Sequence, residues 1–294
     1  MIFKGTVLRQ KYLDFLRFKV QELEDKTGLK PGLAVVMVGK NPSSLTYVNA
    51  KKKWAQSIGV LFKEKSFEES VGEEEIRRCI ETLNHDERVS AIIVQLPLPA
   101  HINSKKVLNY ICPCKDVDGL SDKNLGALMR GYPNFVPCTP LGIIKILRAH
   151  SIATAGRSVL IIGRSPLVGR PLANLLSSQP YNATVTLAHS KTPYIEVHAR
   201  LASIIVVATG VPKLLKANMV SSGSVVIDVG ITHTSEGLCG DVDFERVKGK
   251  CSFITPVPGG VGVMTVTMLL YNTVKAAYMQ HSLVFEDHEV VLFT

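Results

Sequence analysis

Continuous apolar runs alternate with amphipathic, charge-bearing stretches along the chain. In the first half the apolar runs predict strands over residues 33–38, 60–65 and 91–96. Helical spacing predicts helices over residues 5–27, 44–58, 72–83 and 104–111. Strands that are apolar throughout and separated by helices are typical of a parallel sheet covered on both faces. The pattern therefore predicts an α/β fold.

A segment rich in Pro, Gly and Asn, residues 116–142, predicts a crossing between two domains, bridged by a helix over residues 140–150. Beyond it, strands are predicted over 158–162, 184–187, 203–207 and 224–228, with a helix over 168–178. This alternation is typical of a nucleotide-binding domain. A long helix is predicted over 264–280, and the tail after it, "SLVFEDHEVVLFT", fits no predicted element.

Length, charge and cysteine content narrow the class of protein. The 294 residues suffice for two domains, and no apolar run approaches the ~20 residues that span a bilayer. Without a secretory signal pattern, and with six scattered cysteines expected to be free thiols, the predicted compartment is the cytosol. Cys112 and Cys114 lack a second pair at zinc spacing, so no metal site is predicted.

The net charge of +9 favours small anionic ligands over nucleic acid, because basic and acidic residues are interspersed.

The stretch "GRSPLVGRP", residues 163–171, follows a predicted strand and opens a predicted helix. A glycine turn at a helix N-terminus offers backbone donors to a pyrophosphate. Ser165 stands where a GxGxxG motif would have its second glycine, and a purely structural turn would also use Gly163 and Gly169. The stretch therefore indicates a dinucleotide loop without excluding a structural turn.

The end of the next strand indicates which dinucleotide fits. An NAD enzyme normally has Asp or Glu there to bind the ribose hydroxyls. This chain instead has "AHSKT", residues 188–192, so Arg164, Ser190 and Lys191 are candidates for binding a 2′-phosphate. The sequence therefore predicts NADP as the cofactor. The alternative is that these three residues are exposed to solvent and bind no ligand. Further on, small residues end the strands at "VVATG" and "VVIDVGI", and Asp228 is either a ligand contact or a turn cap.

Three consecutive lysines follow Tyr47 in "YVNAKKK". On a helix beginning near Ser44, Tyr47 and Lys51 share a face, and Lys52 and Lys53 are rotated away by roughly 100° and 200°. Lys51 is therefore the candidate for a desolvated proton-transfer lysine, although solvated surface lysines are far more common.

Two further segments carry polar groups that fit such a site. Gln95 ends a strand in "VQLPLP" and could orient a lysine ammonium group. Asp116 and Asp118, in "KDVDGL", could accept paired hydrogen bonds from a heterocyclic amidine such as a pterin, or could cap the turn.

Taken together, the motifs resemble those of the bifunctional methylenetetrahydrofolate dehydrogenase/methenyltetrahydrofolate cyclohydrolases. The matching stretches are "VGKNPSSLTYVNAKKK", "VQLPLP", "KDVDGL", "PCTPLG", "GRSPLVGRP", "HSKT", "VVATG" and "ITPVPGGVGVMT". They follow one another in family order over nearly the whole chain. The resemblance implies oxidation of 5,10-methylenetetrahydrofolate by NADP, followed by hydrolysis of the methenyl product to 10-formyltetrahydrofolate.

The resemblance also implies roles for individual residues. Lys51 resembles the family's general acid/base, with Gln95 tuning it, Tyr47 stacking on the folate, Asp118 anchoring the pterin and Ser44 near the lysine. The other predicted substrate contacts are Leu96, Pro97, Pro258, Gly259 and Gly260. The predicted cofactor contacts are Gly163, Arg164, Ser165, Val168, Gly169, His189, Ser190, Lys191, Thr192, Ala208, Thr209, Gly210, Gly230, Ile231 and Thr265.

The family architecture implies a homodimer of two-lobed subunits: an α/β catalytic lobe and a Rossmann-like NADP-binding lobe, with both ligands in the cleft between them. Residues 1–140 are expected to form the folate-binding domain, completed by a helix over about 264–281 that packs back on it. Residues 141–263 are expected to bind NADP, and residues 282–294 form a tail of unknown role. Val263 replaces a usual proline, which predicts a loosened turn.

Two other functions remain open at this point: a dehydrogenase without cyclohydrolase activity, perhaps using NAD, and a non-catalytic folate-binding or nucleic-acid-binding protein. The tail is expected to be disordered or to pair with an exposed strand edge through "EVVLF".

Overall fold

The computed structural model describes residues 1–235 and 237–287, apart from the side chain of Ser43. The elements follow one another as α1 (Gly5–Thr27), β1 (Gly32–Val38), α2 (Pro42–Ser57), β2 (Leu61–Phe67), α3 (Glu73–His85), β3 (Ala91–Val94), α4 (Ser104–Asn109), α5 (Asp122–Met129), α6 (Cys138–Ala149), β4 (Ser158–Ile162), α7 (Gly169–Ser177), β5 (Thr184–Ala188), α8 (Ile195–Leu201), β6 (Ile204–Val207), β7 (Val225–Asp228), β8 (Thr232–Thr234), β9 (Gly237–Cys239), α9 (Phe244–Val247), β10 (Phe253–Ile254) and α10 (Val261–Gln280). Every helix in this part of the chain is too short or too polar to traverse a bilayer.

The described residues form two compact units. One, here the three-stranded unit, contains Lys11–Cys138 and the chain from Val266 onward. The other, here the five-stranded unit, contains Met1–Gln10 and Thr139–Thr265. Both are discontinuous in sequence, so α1 and α10 each contribute residues to both units.

The three-stranded unit is built on a parallel sheet in the order β2-β1-β3, as the apolar pattern predicts. All residues of the central strand β1 are buried, because helices cover the sheet. Helix α3 buries Ile76, Ile80 and Leu83, which lie on one face at helical spacing. The sheet and this apolar face form one continuous core.

Helix α10 packs on the elements of the three-stranded unit. The Asn272 side chain donates to the carbonyl oxygens of Val117 (2.8 Å) and Val136 (3.0 Å). The Tyr278 hydroxyl donates to Lys19 O (2.8 Å) and to the Glu22 carboxylate (2.9 Å). The expectation that the last helix packs back on the first lobe is therefore confirmed.

The tail begins against the same helices. The Phe285 ring makes edge contacts with the rings of Phe15, Tyr271 and Tyr278, and the Tyr271 hydroxyl donates to Asp287 (2.7 Å). These aromatic contacts anchor the first residues after α10. The predicted pairing of "EVVLF" lies outside the described residues.

The five-stranded unit contains a parallel sheet in the order β10-β7-β6-β4-β5. Numbered along the chain, this is the 2-1-3-4-5 order of doubly wound nucleotide-binding folds, with its topological switch point between β4 and β6. In such sheets ligands bind outside the carboxyl ends of the strands at the switch point. The segments after β4 and β6 are the predicted dinucleotide stretches "GRSPLVGRP" and "VVATG".

Several predicted boundaries and loops differ from the structure. The predicted crossing contains an unpredicted helix, α5, whose N-cap Ser121 accepts a hydrogen bond from the Asn124 amide (3.4 Å). Helix α8 and the β8-β9 hairpin were also not predicted. Val263 lies in the first turn of α10, and its amide donates to Gly260 O (3.2 Å), a bond that a proline could not make. The loosened turn stays a prediction.

Candidate functional site

The lysine run lies on α2, which begins at Pro42, two residues before the predicted start. Asn41, rather than Ser44, occupies the capping position, because its side-chain oxygen accepts a hydrogen bond from the Ser44 amide (3.3 Å). Lys51 is half-buried, whereas the next two lysines are exposed. The prediction that only one lysine turns inward is confirmed.

Gln95 follows β3 directly and contacts Lys51. The Lys51 ammonium donates to Gln95 Oε1 (2.8 Å), and Gln95 Nε2 donates to Leu96 O (2.7 Å). The second bond fixes the orientation of the amide, so that its oxygen faces the lysine. Burial lowers the pKa of Lys51, and the charges of Asp118 and Cys138 partly oppose this shift. The lysine is therefore desolvated and held in a defined direction.

Asp118 and Cys138 complete this cluster. Burial raises the pKa of the Asp118 carboxyl, and the Lys51 charge and a hydrogen bond with Cys138 act in the opposite direction. Cys138, the first residue of α6, is buried, and burial and the neighbouring Asp118 raise the pKa of its thiol. Its thiol also donates to Val117 O (3.5 Å). The Asn272 side chain lies 3.8 Å from Cys138 Sγ.

Sequence reasoning missed Cys138 and Asn272 as members of the site. The only available signal was the position of Cys138 inside the "PCTPLG" motif, because Asn272 lies on a helix far along the chain.

The two acids of "KDVDGL" have different roles. Both oxygens of the buried Asp116 carboxylate are occupied: Oδ1 accepts from Leu120 N (3.2 Å), and Oδ2 accepts from Ser121 N (2.8 Å) and Asn124 Nδ2 (2.9 Å). Asp116 therefore caps the turn, and the pterin contact considered for both acids stays a prediction for Asp118 alone. Turn capping fixes the backbone that presents Asp118 beside Lys51.

The remaining predicted substrate contacts divide between the two units. Tyr47 lies one turn before Lys51, and burial raises the pKa of its phenol. Ser44 is buried on the same helix, and Leu96 and Pro97 follow Gln95. Pro258, Gly259 and Gly260 belong to the five-stranded unit, where Gly259 O accepts a hydrogen bond from Gly5 N (3.0 Å).

The dinucleotide loop of the five-stranded unit requires its glycines. Gly163 follows β4 with φ +119°, and a Cβ there would lie 2.1 Å from Ala208 O at the end of β6. A Cβ on Gly169 would lie 1.8 Å from Gly163 O. Only hydrogen fits at these two positions, so the backbone can approach a ligand closely.

Beyond Gly163 the chain turns directly into α7. Ser165 Oγ accepts a hydrogen bond from Val168 N (3.1 Å), and Arg170 N donates to Ser165 O (3.1 Å). The serine in place of the second glycine therefore closes the turn before the helix. The N-terminal end of α7 presents the backbone dipole that favours an anion.

The carboxyl ends of β4 and β5 bring the predicted phosphate contacts to one edge. Ile162 and Ala188 are partners in the sheet register, and exposed Arg164 and Ser190 each follow by two residues. The turn after β5 is preformed: Thr192 Oγ1 accepts from His189 N (2.9 Å), and Lys191 N donates to His189 Nδ1 (3.1 Å). No carboxylate occurs in residues 188–192.

The loop after β6 is held by a buried acid that sequence reasoning missed. Asp241 Oδ2 accepts from Thr209 N (2.6 Å), Thr209 Oγ1 (2.9 Å) and Gly210 N (3.0 Å). Its Oδ1 finds no hydrogen-bond partner among the described residues. No sequence pattern distinguishes this aspartate.

Asp228, at the end of β7, accepts hydrogen bonds from the amides of Gly230 (3.0 Å), Asp241 (2.9 Å) and Val242 (3.0 Å). These bonds favour the capping alternative for Asp228. Desolvation, with a contribution from the Asp241 charge, raises the pKa of Asp228 to about 6, and the three backbone bonds oppose the shift.

Two other predicted cofactor contacts also lie in the five-stranded unit. Thr265 Oγ1 is 3.0 Å from Thr139 Oγ1, and Ile231 lies beside Gly262. Across the described ranges, no group of three or more His, Cys, Asp or Glu residues is arranged to hold a metal ion.

A parallel sheet with a glycine-lined switch point, together with a second α/β unit that holds a desolvated lysine, defines a dinucleotide-dependent enzyme class. The chain belongs to the tetrahydrofolate dehydrogenase/cyclohydrolase family, whose catalytic domain matches residues 3–118 and whose NAD(P)-binding domain matches residues 137–281. It is 47% identical over 278 residues to the bifunctional protein FolD of Streptococcus thermophilus, covering 94% of this chain and 97% of that protein.

Solved structures agree with this assignment. The bifunctional FolD of Campylobacter jejuni superposes with a TM-score of 0.92 at 44% identity, over 95% of this chain and 99% of that one. The Trypanosoma brucei dehydrogenase-cyclohydrolase, solved with NADP cofactor and an inhibitor, gives a TM-score of 0.91 at 36% identity, over 96% of this chain and 98% of that one.

Proposed function

We propose that the chain oxidises 5,10-methylenetetrahydrofolate with NADP and hydrolyses the 5,10-methenyl product to 10-formyltetrahydrofolate. The observation that carries this proposal is the bond from the Lys51 ammonium to Gln95 (2.8 Å), near the half-buried Asp118. Membership of a family whose relatives are named as bifunctional supports it.

The residues at the switch point fit NADP. Gly163 and Gly169, where no side chain would fit, allow the pyrophosphate to approach the backbone and the N-terminus of α7. Arg164, Ser190 and Lys191 offer charge and donors for the 2′-phosphate, and the residues after β5 include no carboxylate for binding a free 2′-hydroxyl. When bound, NADP supplies the hydride acceptor. A relative solved with NADP supports this choice over NAD.

For the oxidation, the chain has mainly to position the substrate, because hydride transfer depends on the reacting carbon being held at the acceptor. Asp118 is the proposed acceptor for the pterin amidine and Tyr47 the proposed stacking partner. Burial favours paired hydrogen bonds at Asp118, because competing water is removed from the carboxylate. The contact would fix the orientation of the ring system relative to Lys51.

For the hydrolysis, Lys51 is the proposed proton carrier. Because burial lowers the pKa of Lys51, a larger fraction of the amine is neutral at a given pH than for a free lysine. The neutral Nζ can accept a proton from the water that attacks the methenyl carbon, and the ammonium can then return it to the ring nitrogen that leaves. Gln95 Oε1 holds Nζ in one direction through both states.

Both steps can be assayed with the full chain. We expect 5,10-methylenetetrahydrofolate and NADP to give reduced cofactor by absorbance and 10-formyltetrahydrofolate by chromatography, with NADP preferred over NAD. If the methenyl compound accumulates and is hydrolysed no faster than in the absence of the protein, the chain is a monofunctional dehydrogenase. Absence of any reduced cofactor would support a non-catalytic binding protein.

A homodimer and a cytosolic location complete the proposal. The exposed apolar side chains of Val197 and Leu201 on α8, and of Tyr194 directly before it, support an interface between copies. Light scattering at several concentrations tests the dimer, and a monomeric mass throughout would contradict it. The six cysteines are scattered along the sequence without a repeated pair spacing, which supports a reducing compartment.

A further inference from the structure

Cys112 and Cys114 form a thiol pair on the surface of the three-stranded unit, in the loop after α4. Their sulfur atoms lie 2.9 Å apart, Cys114 is exposed and Cys112 is half-buried. A disulfide has an S–S distance of about 2.05 Å, so the sulfurs would have to approach by about 0.9 Å. Among the residues that the structure describes, no third ligand is clustered beside the pair, so these residues do not form a closed zinc site.

The backbone of this pair is held from three helices. Asn84 of α3 accepts a hydrogen bond from Cys112 N (2.9 Å). Asn124 of α5 donates to Pro113 O (3.0 Å), and Gln280 of α10 donates to Cys114 O (3.1 Å). The Cys112 carbonyl oxygen also accepts from Lys115 N (2.8 Å), which closes a turn. The fold thus fixes the turn that brings the two sulfurs together.

The charges around the pair favour thiolate chemistry at one sulfur first. The buried Lys115 ammonium, held by Leu83 O (3.2 Å) and Asp86 O (2.9 Å), is close enough to act electrostatically on both thiols. Although Cys114 is exposed as a residue, partial desolvation of its sulfur and the adjacent Cys112 thiol raise the pKa of its thiol to about 11. The raised pKa disfavours the Cys114 thiolate, so the first attack is assigned to the other sulfur of the pair.

We propose that Cys112 and Cys114 are a dithiol modification site that reacts with low-molecular-mass disulfides and closes to an intramolecular disulfide. The Cys112 thiolate attacks one sulfur of the reagent disulfide and displaces one reagent thiolate, which takes a proton. The Cys114 thiol then loses its proton, and its sulfur attacks Cys112 Sγ and displaces the second reagent thiolate. The pair loses two electrons and two protons, which reduce the reagent to two thiols.

The full chain, incubated with glutathione disulfide and then quenched by alkylation, tests the proposal by intact mass and peptide mapping. Tethered groups reach effective concentrations of about 1 mM or more, so with glutathione at about 0.1 mM closure should outnumber the glutathione adduct by about tenfold. Excess dithiothreitol should restore both thiols. A glutathione adduct that outnumbers the closed form, or two free thiols under conditions that oxidise dithiothreitol in a parallel tube, would overturn the proposal.

Three variants locate the chemistry. In Cys114→Ser the first step has no resolving thiol, so a stable glutathione adduct should accumulate on Cys112. Cys79→Ser, at a half-buried thiol outside the pair, should close like the parent chain. Asn84→Ala removes the acceptor that holds Cys112 N, so the ratio of closed product to adduct should fall several-fold. An unchanged ratio in Asn84→Ala would show that the fold does not position the pair. None of these outcomes depends on the proposed enzymatic function.

Discussion

Asp118 in the three-stranded unit and Asp228 in the five-stranded unit are both carboxyl groups whose pKa is raised by desolvation, but their partners differ. Asp118 lies within electrostatic reach of Lys51 and beside Cys138. Asp228 is occupied by three backbone amides and holds loops together. A raised pKa therefore indicates burial in both units, and only the partners distinguish a candidate reacting group from a structural one.

Replacement of the lysine beside Asp118 should have the largest effect. Lys51→Ala removes the proposed proton carrier, so we expect the rate of methenyl hydrolysis to fall by about 10²–10⁴-fold. Stopped-flow absorbance of the methenyl compound measures this rate. The matched control is Lys52→Ala, which removes an exposed lysine from the same helix and should be nearly silent. Equal losses of hydrolysis rate in both variants would contradict the assignment of proton transfer to Lys51.

On the structural side, Asp241→Ala should have the next largest effect. It removes the acceptor of three hydrogen bonds to the Thr209–Gly210 segment, and we expect a loss of about 2–4 kcal/mol in the free energy of unfolding. Urea denaturation measures this loss in the free energy of unfolding. In steady-state assays, the KM for NADP should rise by a larger factor than kcat falls. In Asp241→Asn the side-chain oxygen can replace Oδ2 and retain most of the stability. Equal losses in the two variants would contradict this account.

Asp228 should make stability depend on pH. Its folded pKa of about 6 is above the unfolded value of 3.8, so the folded chain binds more protons between these values and stability decreases as pH rises through that window. The shift of about 2 pKa units corresponds to about 3 kcal/mol. Asp228→Asn should be less stable overall, but its free energy of unfolding should vary less from pH ~4 to ~6. An unchanged slope would show that Asp228 does not titrate there.

Asp118 should affect the titration of Lys51 rather than stability. Its negative charge raises the pKa of Lys51, so Asp118→Asn should lower that pKa further and move the lysine-dependent limb of the hydrolysis pH profile to lower pH. Asp118→Glu keeps the charge and should leave the limb closer to its original position. A limb displaced to higher pH in Asp118→Asn would contradict the electrostatic coupling.

Strands and long helices could be predicted from the sequence because their hydrophobic periods are regular, as in β1 and α3. Helix α5 could not be predicted in this way, because it buries the polar residue Asn124, whose Nδ2 donates hydrogen bonds to Pro113 O and Asp116 Oδ2. Strand β10 has two residues, too few to show any period. Short elements depend on tertiary partners that no local pattern reveals.

The candidate site divides in the same way. Lys51 could be singled out from its neighbours by helix geometry alone, and its contact with Gln95 was anticipated from the end of β3. The different roles of Asp116 and Asp118 could not be predicted. They depend on Ser121 and Asn124, which donate hydrogen bonds to the Asp116 carboxylate. Asn272 and Asp241 come from distant parts of the chain and carry no local signature, and the only signal for Cys138 was its place in the "PCTPLG" motif.

The discontinuous units have a consequence for biosynthesis. Met1–Gln10 belongs with Thr139–Thr265, and Lys11–Cys138 belongs with the part of α10 that begins at Val266. At about 10 residues per second, the ribosome adds the 255 residues between Gln10 and Thr265 (265 − 10) in roughly 25 s. During that time Tyr278 of α10, whose hydroxyl bonds to Lys19 O and Glu22 of α1, has not been translated. In a nascent chain of this protein, the surface of α1 that α10 covers therefore stays open until α10 has been synthesised.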